Sequence, residues 1–585
     1  MKSKLLIAAS AAALVLGGVV VDRQAAGEGA SFVEPRVIAN SLCGGGGAQS
    51  RAFFAAIGAA AAKEAAPAIA GAPKQVGNIA YAVTTTSPQA QAHFNAGLAH
   101  MLNFNHGAAI ASFKAAQAAD PDCAMCWWGE AFAFGPNINM PMPDDAVAPA
   151  YAALKKAKAA KGASEKERAL IAALGKRYAP APVKDRAPLD AAFAEAMAKV
   201  AAQYPDDDFI LSVAAEADMD TAPWDYWEAD GRTPKGRTAH AVDLVENVLR
   251  RNPNHPAAIH LYIHLTEATV DPFRAVPYAD KLAGLTPGLG HLIHMPSHTY
   301  FRIGRYRQSL DLNAAAVAAD EAFLSANKAE PMYEYGYYVH NIHFVMTSAQ
   351  MAGDSETALE MADKLNAKLP LAFAGEVPFS QPIKVAPYYA MAQFASPSAI
   401  LGAADPGMDV PFVAAAWRYA RGEAYARLGD GARARAEAQA IAKLAEEEDF
   451  SPLLELNIPA PDIMKIQELT LLARASAAEG RIGEAIRIME EVVTRQDLLP
   501  YTEPAYWYYP ARQTLAALVL KSGDAERAGQ LFIEALAETP NNGWALYGLA
   551  EANRLGGDKA GAKYARALFK KAWSGDAKSL TLAQL

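Results

Sequence analysis

The 585-residue sequence is poor in features that mark several large classes of protein. It has three cysteines, and it lacks the second C-x2-C motif that would complete a four-cysteine zinc site. Lys and Arg number 54 against 63 Asp and Glu, so the net charge of -9 leaves no basic excess for nucleic acid phosphates. Neither the Gly-rich phosphate loop nor the G-x-S-x-G nucleophile motif occurs. We therefore expect no nucleic acid partner, and nucleotide binding and serine hydrolase chemistry find no support.

Long apolar runs are also rare, and the one that stands out begins the chain. Residues 5–21 are apolar, follow a basic start and precede a stretch of charged and small residues. This pattern predicts a signal peptide over residues 1–26, and hence a periplasmic or secreted protein. An uncleaved membrane anchor is the alternative, and the membrane is a partner only in that case. Residues 27–87, rich in Ala and Gly, predict a flexible linker.

Two of the three cysteines, Cys123 and Cys126, form a single C-x2-C motif. Export implies an oxidising compartment, in which thiols pair, so the favoured interpretation is a local disulfide. A redox-active pair is an alternative, but no thioredoxin-like βαβ pattern surrounds the motif. Half of a structural zinc site is another alternative.

Helix-favouring residues and a regular spacing of small residues dominate the rest of the chain. Alanine is abundant and β-branched residues are sparse, which favours helix. A 34-residue unit that begins at residue 90 carries Gly97, Ala109, Phe113, Ala116 and Pro121 at positions 8, 20, 24, 27 and 32. Small residues and prolines recur at the same positions further along the chain. Pro253 and Pro287, which are 34 residues apart, each end one unit. Small residues at such positions let two antiparallel helices approach closely, so the sequence predicts an all-α fold of helical hairpins.

This pattern resembles the tetratricopeptide repeat (TPR) superfamily over most of residues 88–575. The strings DPDCAMCWWGEA, HMPSH and WYYPAR also resemble a group of exported bacterial repeat proteins of this class. The resemblance implies a TPR-like α-solenoid, whose concave groove would bind a peptide, a protein or a small organic ligand. It implies no particular activity.

The repeat marks also predict how the chain is divided. We expect an N-terminal TPR-like array over residues 88–400 and a C-terminal array over residues 401–585. Residues 145–205 lack clean repeat marks and predict a helical insertion. Residues 369–410 are rich in Pro and Gly and predict a loop.

Seven of the twelve histidines fall between residues 260 and 343, and they follow the repeat. His260 and His294 are 34 residues apart, and so are His264 and His298, so the two pairs occupy positions 5 and 9 of successive units. The remaining candidates are His291 and His340 at position 2, His343 at position 5 and Glu267 at position 12. The TPR resemblance implies that positions 2, 5, 9 and 12 of the first helix line the concave groove.

Histidines that face one strip from neighbouring helices predict a transition-metal site. Packed helices lie about 8–10 Å apart, so their imidazoles can reach one ion at about 2.0–2.1 Å. Neutral imidazole suits Zn or Cu, with Fe and Ni as other options. The expected ligands are His260, His264, His291, His294, His298, His340 and His343. Glu267 is expected to act as a general base in catalysis, or else to orient an imidazole.

Three functions are compatible with this sequence. The first is a metalloprotein, or a metalloenzyme, with Zn or Cu in the groove. The second is an extracytoplasmic metal carrier that uses the same site without catalysis. The third is a scaffold that binds a peptide or an envelope protein without metal, which is the commonest use of such repeats.

Overall fold

The structure is a computed structural model that describes residues 79–327, 332–578 and 580–585. The signal peptide predicted at 1–26 and most of the linker predicted at 27–87 lie outside the described residues. No helix among the described residues combines the length and apolar composition needed to cross a bilayer.

The described residues form α-helices and short helical turns, and no β-strand occurs among them beyond two isolated bridges. The first part of the chain holds α1 (Pro88–Leu102), α2 (His106–Ala119), α3 (Ala124–Ala133), α4 (Asp144–Ala159), α5 (Glu165–Leu174), α6 (Ala187–Gln203), α7 (Asp208–Met219), α8 (Thr238–Arg251), α9 (Pro256–Glu267), α10 (Val276–Leu285), α11 (Gly290–His294), α12 (Pro296–Arg302) and α13 (Tyr306–Ala326). A 3-10 turn at Pro272–Ala275 precedes α10, and a π-helical turn covers Tyr333–Tyr338. The predicted all-α class is confirmed.

The second part of the chain continues the same pattern. It holds α14 (Val339–Ala352), α15 (Ser355–Lys368), α16 (Leu371–Glu376), α17 (Gln381–Phe394), α18 (Pro397–Leu401), α19 (Pro411–Arg427), α20 (Gly431–Glu447), α21 (Ser451–Leu454), α22 (Ala460–Ala478), α23 (Ile482–Asp497), α24 (Ala511–Lys521), α25 (Ala525–Glu538), α26 (Gly543–Leu555) and α27 (Lys559–Ala572). Short 3-10 turns lie at Pro378–Ser380 and Leu582–Gln584.

The chain forms two compact units. The described residues of the N-terminal unit are 79–299, 312–327 and 332–338, and those of the C-terminal unit are 300–311, 339–578 and 580–585. Within each unit, most helices pack against the helices next to them in sequence, as in arrays of TPR-like hairpins. The predicted division near residue 400 stays a prediction.

The small residues of the repeat have the role that their spacing predicts. A Cβ atom added at Gly97 in α1 would lie 2.5 Å from the ring of Phe113 in α2, and one at Gly129 in α3 would lie 2.4 Å from the same ring. The fully buried Phe113 therefore packs between two helices at points where only a hydrogen atom fits. In the C-terminal unit, a Cβ atom added at Gly548 would lie 2.1 Å from the ring of Phe532, so this glycine has the same role.

The prediction of a loop at residues 369–410 is wrong, because α16, α17 and α18 occupy most of that stretch. Pro382 and Pro397 lie in the first turns of α17 and α18, where the missing N–H costs nothing and the fixed φ favours the first turn, and Pro387 lies inside α17. Residues 145–205 are helical, as expected of an insertion. Cys123 and Cys126 form the favoured local disulfide, at the start of α3.

Candidate metal centre

Helix α9 carries the first two histidines of the centre. Pro256 occupies its first turn, and the His255 side chain caps it by accepting a hydrogen bond from the Ala258 N–H. One turn apart on this helix, His260 and His264 bring their Nε2 atoms within 3.2 Å of each other. Both imidazoles are buried.

The third imidazole comes from α11, a short helix after α10. His291 places its Nε2 3.1 Å from the Nε2 of His260, so His260 lies between two other imidazole nitrogens. Gly290 lets α11 approach α13 closely, because a Cβ atom at Gly290 would lie 1.8 Å from the carboxylate of Asp320 on α13. The ligand atoms of the three histidines all lie within 4.8 Å of one another. We call His260, His264 and His291 the three-histidine cluster.

The spacing of the three-histidine cluster matches the first coordination sphere of a metal. Tetrahedral ligands at about 2.0–2.1 Å from one ion lie about 3.3–3.4 Å apart. The measured Nε2 separations of 3.1 and 3.2 Å are close to that value. The cluster therefore provides three converging nitrogen atoms of the type that zinc and copper take as ligands.

A histidine pair, His294 and His298, lies beside the three-histidine cluster. The Nε2 atoms of the pair are 2.8 Å apart, although Pro296 separates α11 from α12 between the two residues. The ring centroids of His264 and His298 are 5.8 Å apart, and those of His291 and His294 are 6.0 Å apart. Five of the seven predicted ligands therefore meet in one buried region of the N-terminal unit.

The Nδ1 atoms of the histidine pair both face oxygen acceptors. The Nδ1 of His294 lies 2.5 Å from the side-chain oxygen of Asn313, and the Nδ1 of His298 lies 2.7 Å from Glu267 Oε2. An amide oxygen and a carboxylate oxygen can only accept, so a neutral imidazole at either position would carry its proton on Nδ1. The two Nε2 atoms then present lone pairs to each other.

Glu267 connects the histidine pair to the three-histidine cluster. Its Oε1 lies 2.9 Å from His264 Nδ1, and its Oε2 contacts His298, so each carboxylate oxygen faces one imidazole. The side chain is fully buried. Burial alone would raise the pKa of Glu267, but the charge interaction with His298 and the hydrogen bonds from His264 and His298 lower that pKa well below its usual range. Glu267 is therefore a carboxylate that fixes the orientation of two imidazoles.

Burial sets the charge of the imidazoles. Desolvation is the largest cause that lowers the pKa of His260, His264, His291 and His294 below the usual value for histidine. Neighbouring imidazoles lower these pKa values further. Neutral imidazole is the form of histidine that binds a metal.

Aromatic residues surround the three-histidine cluster. The ring of Phe104 lies 4.9 Å from that of His260 and 4.8 Å from that of His291, and Tyr337 lies 5.2 Å from His291. Trp224 meets His264 edge-on at 5.3 Å and is 41% exposed. Phe104 and Asn313 were not predicted from the sequence, because neither shares the repeat position of a histidine, although Asn313 lies in the same 34-residue unit as His294.

His340 and His343 lie on α14, which belongs to the C-terminal unit. Burial lowers the pKa of His343 to about 3, and its side chain borders a cavity of about 20 Å³ with Gln350 and Tyr389. The His340 ring packs 5.0 Å from that of Phe344. The ligand roles of these two histidines stay predictions.

The centre differs from the predicted groove in its accessibility. No imidazole of the three-histidine cluster or the histidine pair is more than 3% exposed, whereas a groove lining faces solvent. The five imidazoles converge as the repeat spacing predicts, but they do so inside the N-terminal unit.

Comparisons with known proteins give only distant structural matches. Neither a protein-family model nor a curated protein matches the chain. A human IFIT1 dimer with PPP-AAAA aligns at 13% identity over 82% of this chain and 89% of that one, with a TM-score of 0.30. Yeast Tom70 aligns at 12% identity over 82% and 88%, with a TM-score of 0.27. The TPR domain of P58(IPK) aligns at 16% identity over 80% and 98%, with a TM-score of 0.20.

Proposed function

We propose that this chain is a transition-metal protein with two neighbouring ion positions. One ion is held by His260, His264 and His291, and the other by His294 and His298. Zn and Cu are the ions that suit an all-imidazole set of this kind. The proposal concerns metal binding by the folded N-terminal unit, and it makes the metal a resident part of the protein.

The observation that carries the proposal is the 2.8 Å contact between the Nε2 atoms of His294 and His298. If both imidazoles are neutral, Asn313 and Glu267 keep their protons on Nδ1, and two lone pairs face each other at that distance. Such a contact is repulsive unless a cation lies between the nitrogens or one imidazole is charged. Burial disfavours a charged His294. A charged His298 beside Glu267 is the competing explanation, and a bound metal ion accounts both for this contact and for the convergence of the other three imidazoles.

The three-histidine cluster supports the same conclusion. His260 Nε2 faces two other nitrogens, and a single proton on it can satisfy only one of them. A metal ion satisfies all three, because each imidazole then donates a lone pair. Three histidines leave a fourth tetrahedral position open, as in zinc sites that bind water or substrate.

The contacts of Glu267 favour one of its two predicted roles. Each carboxylate oxygen faces the Nδ1 atom of one imidazole, which is the arrangement of a carboxylate that orients histidine ligands. Carboxylates in this position orient the ligand and increase its basicity. We therefore assign Glu267 to the support of the metal centre and leave any catalytic base unassigned.

The first experiment measures metal content. The full chain is exported to the periplasm, as its N-terminal segment predicts, and is purified without a chelator or a His tag. Plasma mass spectrometry is then applied to wild type, to His260→Ala and to the double variant His294→Ala/His298→Ala. We expect about two equivalents of Zn or Cu in wild type, and about one equivalent less in each variant.

The control is His93→Ala, which removes a half-buried histidine of α1 that belongs to neither metal-ligand group. It should leave the metal content unchanged. Sub-stoichiometric metal that none of the variants alters would contradict the proposal. That outcome would favour the alternative of a scaffold that binds a peptide or envelope protein without metal.

The same assay tests the two predicted ligands on α14. His340→Ala and His343→Ala are measured separately, each with the far-UV circular dichroism of the folded protein as a check. Loss of about one equivalent in either variant would add that residue to the ligand set.

A further inference from the structure

A cavity of about 310 Å³ lies in the N-terminal unit, near the start of α9. It is bordered by the end of α1, by one face of α7 and by the first turns of α9. The volume is at the lower end of the range of about 300–1,000 Å³ found for small-molecule sites. None of the five metal-centre histidines borders it, so it is a separate site.

The lining of the cavity is mostly apolar. Leu98 and Met101 contribute from α1, Val213 from α7, and Ala257 and Leu261 from α9. An apolar wall of this kind favours the hydrocarbon part of a ligand, because binding removes that surface from water.

The polar groups around the cavity have partners, with one clear exception. The hydroxyl of Tyr81 donates to Asp207, that of Ser212 donates to the Asp208 carbonyl, and His255 caps α9. The carboxyl of Glu216, by contrast, forms no hydrogen bond or ion pair with the described residues, and its side chain is half-buried at the cavity wall. A carboxyl group in such a position needs a partner that the protein does not supply.

Charges behind the cavity wall explain why Glu216 stays unpaired. The buried Arg177 guanidinium, which is the nearest cation, is hydrogen-bonded to Asp220 and lies 3.5 Å from Asp190. Burial, followed by the charge of Asp220, raises the pKa of Glu216 to about 8, and Arg177 opposes that shift. The surroundings of Glu216 are therefore short of positive charge.

We propose that this cavity binds a small organic amine with an apolar body, and that the Glu216 carboxyl is its polar anchor. The amine nitrogen pairs with the carboxyl whichever of the two groups holds the shared proton. The hydrocarbon part fills the space between α1, α7 and α9. At about pH 8 a carboxylate ligand should bind less tightly than the amine, because it adds negative charge beside Glu216 and Asp220.

The test uses 2-phenylethylamine as the probe in calorimetric titrations of the full chain at about pH 8, where Glu216 is partly ionised. 2-Phenylethanol serves as the neutral isostere and phenylacetate as the anion. We expect wild type to bind the amine more tightly than the alcohol and to bind phenylacetate least. Glu216→Gln should weaken amine binding at least about tenfold, as loss of a hydrogen bond to a charged group does, and change alcohol binding little.

The matched control is Glu195→Gln, which makes the same change at an exposed residue of α6. It should bind all three probes as wild type does. Ala257→Leu keeps Glu216 but fills the cavity, so it should abolish binding of both the amine and the alcohol. Circular dichroism checks that each variant is folded.

Three results would overturn the proposal. The first is no amine binding by folded wild type, or tighter binding of phenylacetate than of the amine. The second is equal amine affinity in folded Glu216→Gln and wild type. The third is unchanged amine binding by folded Ala257→Leu, which would place the probe elsewhere. If Glu216→Gln does not fold, the first and third results still decide.

Discussion

Glu267 shows how one side chain links groups that belong to different repeats. Its two oxygens contact imidazoles from α9 and α12. The link fixes two imidazoles at once, so the orientation of each group depends on the same buried charge. Substitution of this residue should therefore affect both ion positions.

We expect Glu267→Gln to lower the metal affinity by about 10- to 100-fold while the fold is kept. The amide has the size of the carboxylate, but it offers one acceptor oxygen in place of two, so one imidazole loses its partner. Competition against a chromophoric chelator would measure the affinity for Zn. Glu195→Gln is the matched control, and an affinity in Glu267→Gln equal to that of the control would rule out the assigned role.

The sequence predicts part of the centre. The 34-residue interval between His260 and His294, and between His264 and His298, places both pairs correctly, because helical periodicity and the repeat together determine which face each residue occupies. Phe104 and Asn313 carry no such mark. Phe104 reaches the site through tertiary packing over a large separation in sequence, which a local pattern does not encode, and Asn313 contacts His294 from a helix 19 residues further on. The burial of the centre also depends on that packing.

At the scale of the helices, close packing at glycine limits what the repeat tolerates. Gly97→Ala should destabilise the protein by about 1–3 kcal/mol, because the new methyl group would lie within the contact distance of the Phe113 ring. The higher helix propensity of alanine, worth at most about 1 kcal/mol, offsets part of this loss. Thermal unfolding would measure the difference.

The control for Gly97→Ala is Gly162→Ala, since a Cβ atom at Gly162 meets nothing within 4 Å. This change should leave the midpoint temperature of thermal unfolding almost unaltered. If the two variants melted at the same temperature, the tight α1–α2 packing would not be the reason for glycine at position 97.

The residues at which helices begin and end are harder to predict from the sequence than the presence of helical hairpins. Small residues at repeat positions indicated the hairpins because their spacing follows from how closely two helices pack. The prolines of residues 369–410 suggested a loop, yet Pro382 and Pro397 lie in the first turns of α17 and α18. Proline both ends helices and begins them, so composition alone does not distinguish the two cases.

At the scale of the whole molecule, metal binding should be coupled to stability. An ion that binds only the folded state adds about 4 kcal/mol when its free concentration is about a thousand times its Kd. We therefore expect a chelator to lower the thermal midpoint of wild type by several degrees in scanning calorimetry. The Cys123–Cys126 disulfide does not respond to a chelator, so it does not contribute to the change.

The double variant His294→Ala/His298→Ala serves as the comparison for the chelator experiment. It has already lost one ion, so the chelator should lower its midpoint by a smaller amount. An equal shift in both proteins, or no shift in wild type, would argue against metal-coupled stability.

The burial of the five imidazoles has a consequence for kinetics. An ion held where no ligand is more than 3% exposed can enter or leave only when the surrounding helices open. The exchange rate is then set by local unfolding of the protein and not by the strength of the metal–nitrogen bonds. If the proposed ions bind there, they exchange with a chelator only as fast as the helices open, so both chelator experiments need incubation for longer than local unfolding takes.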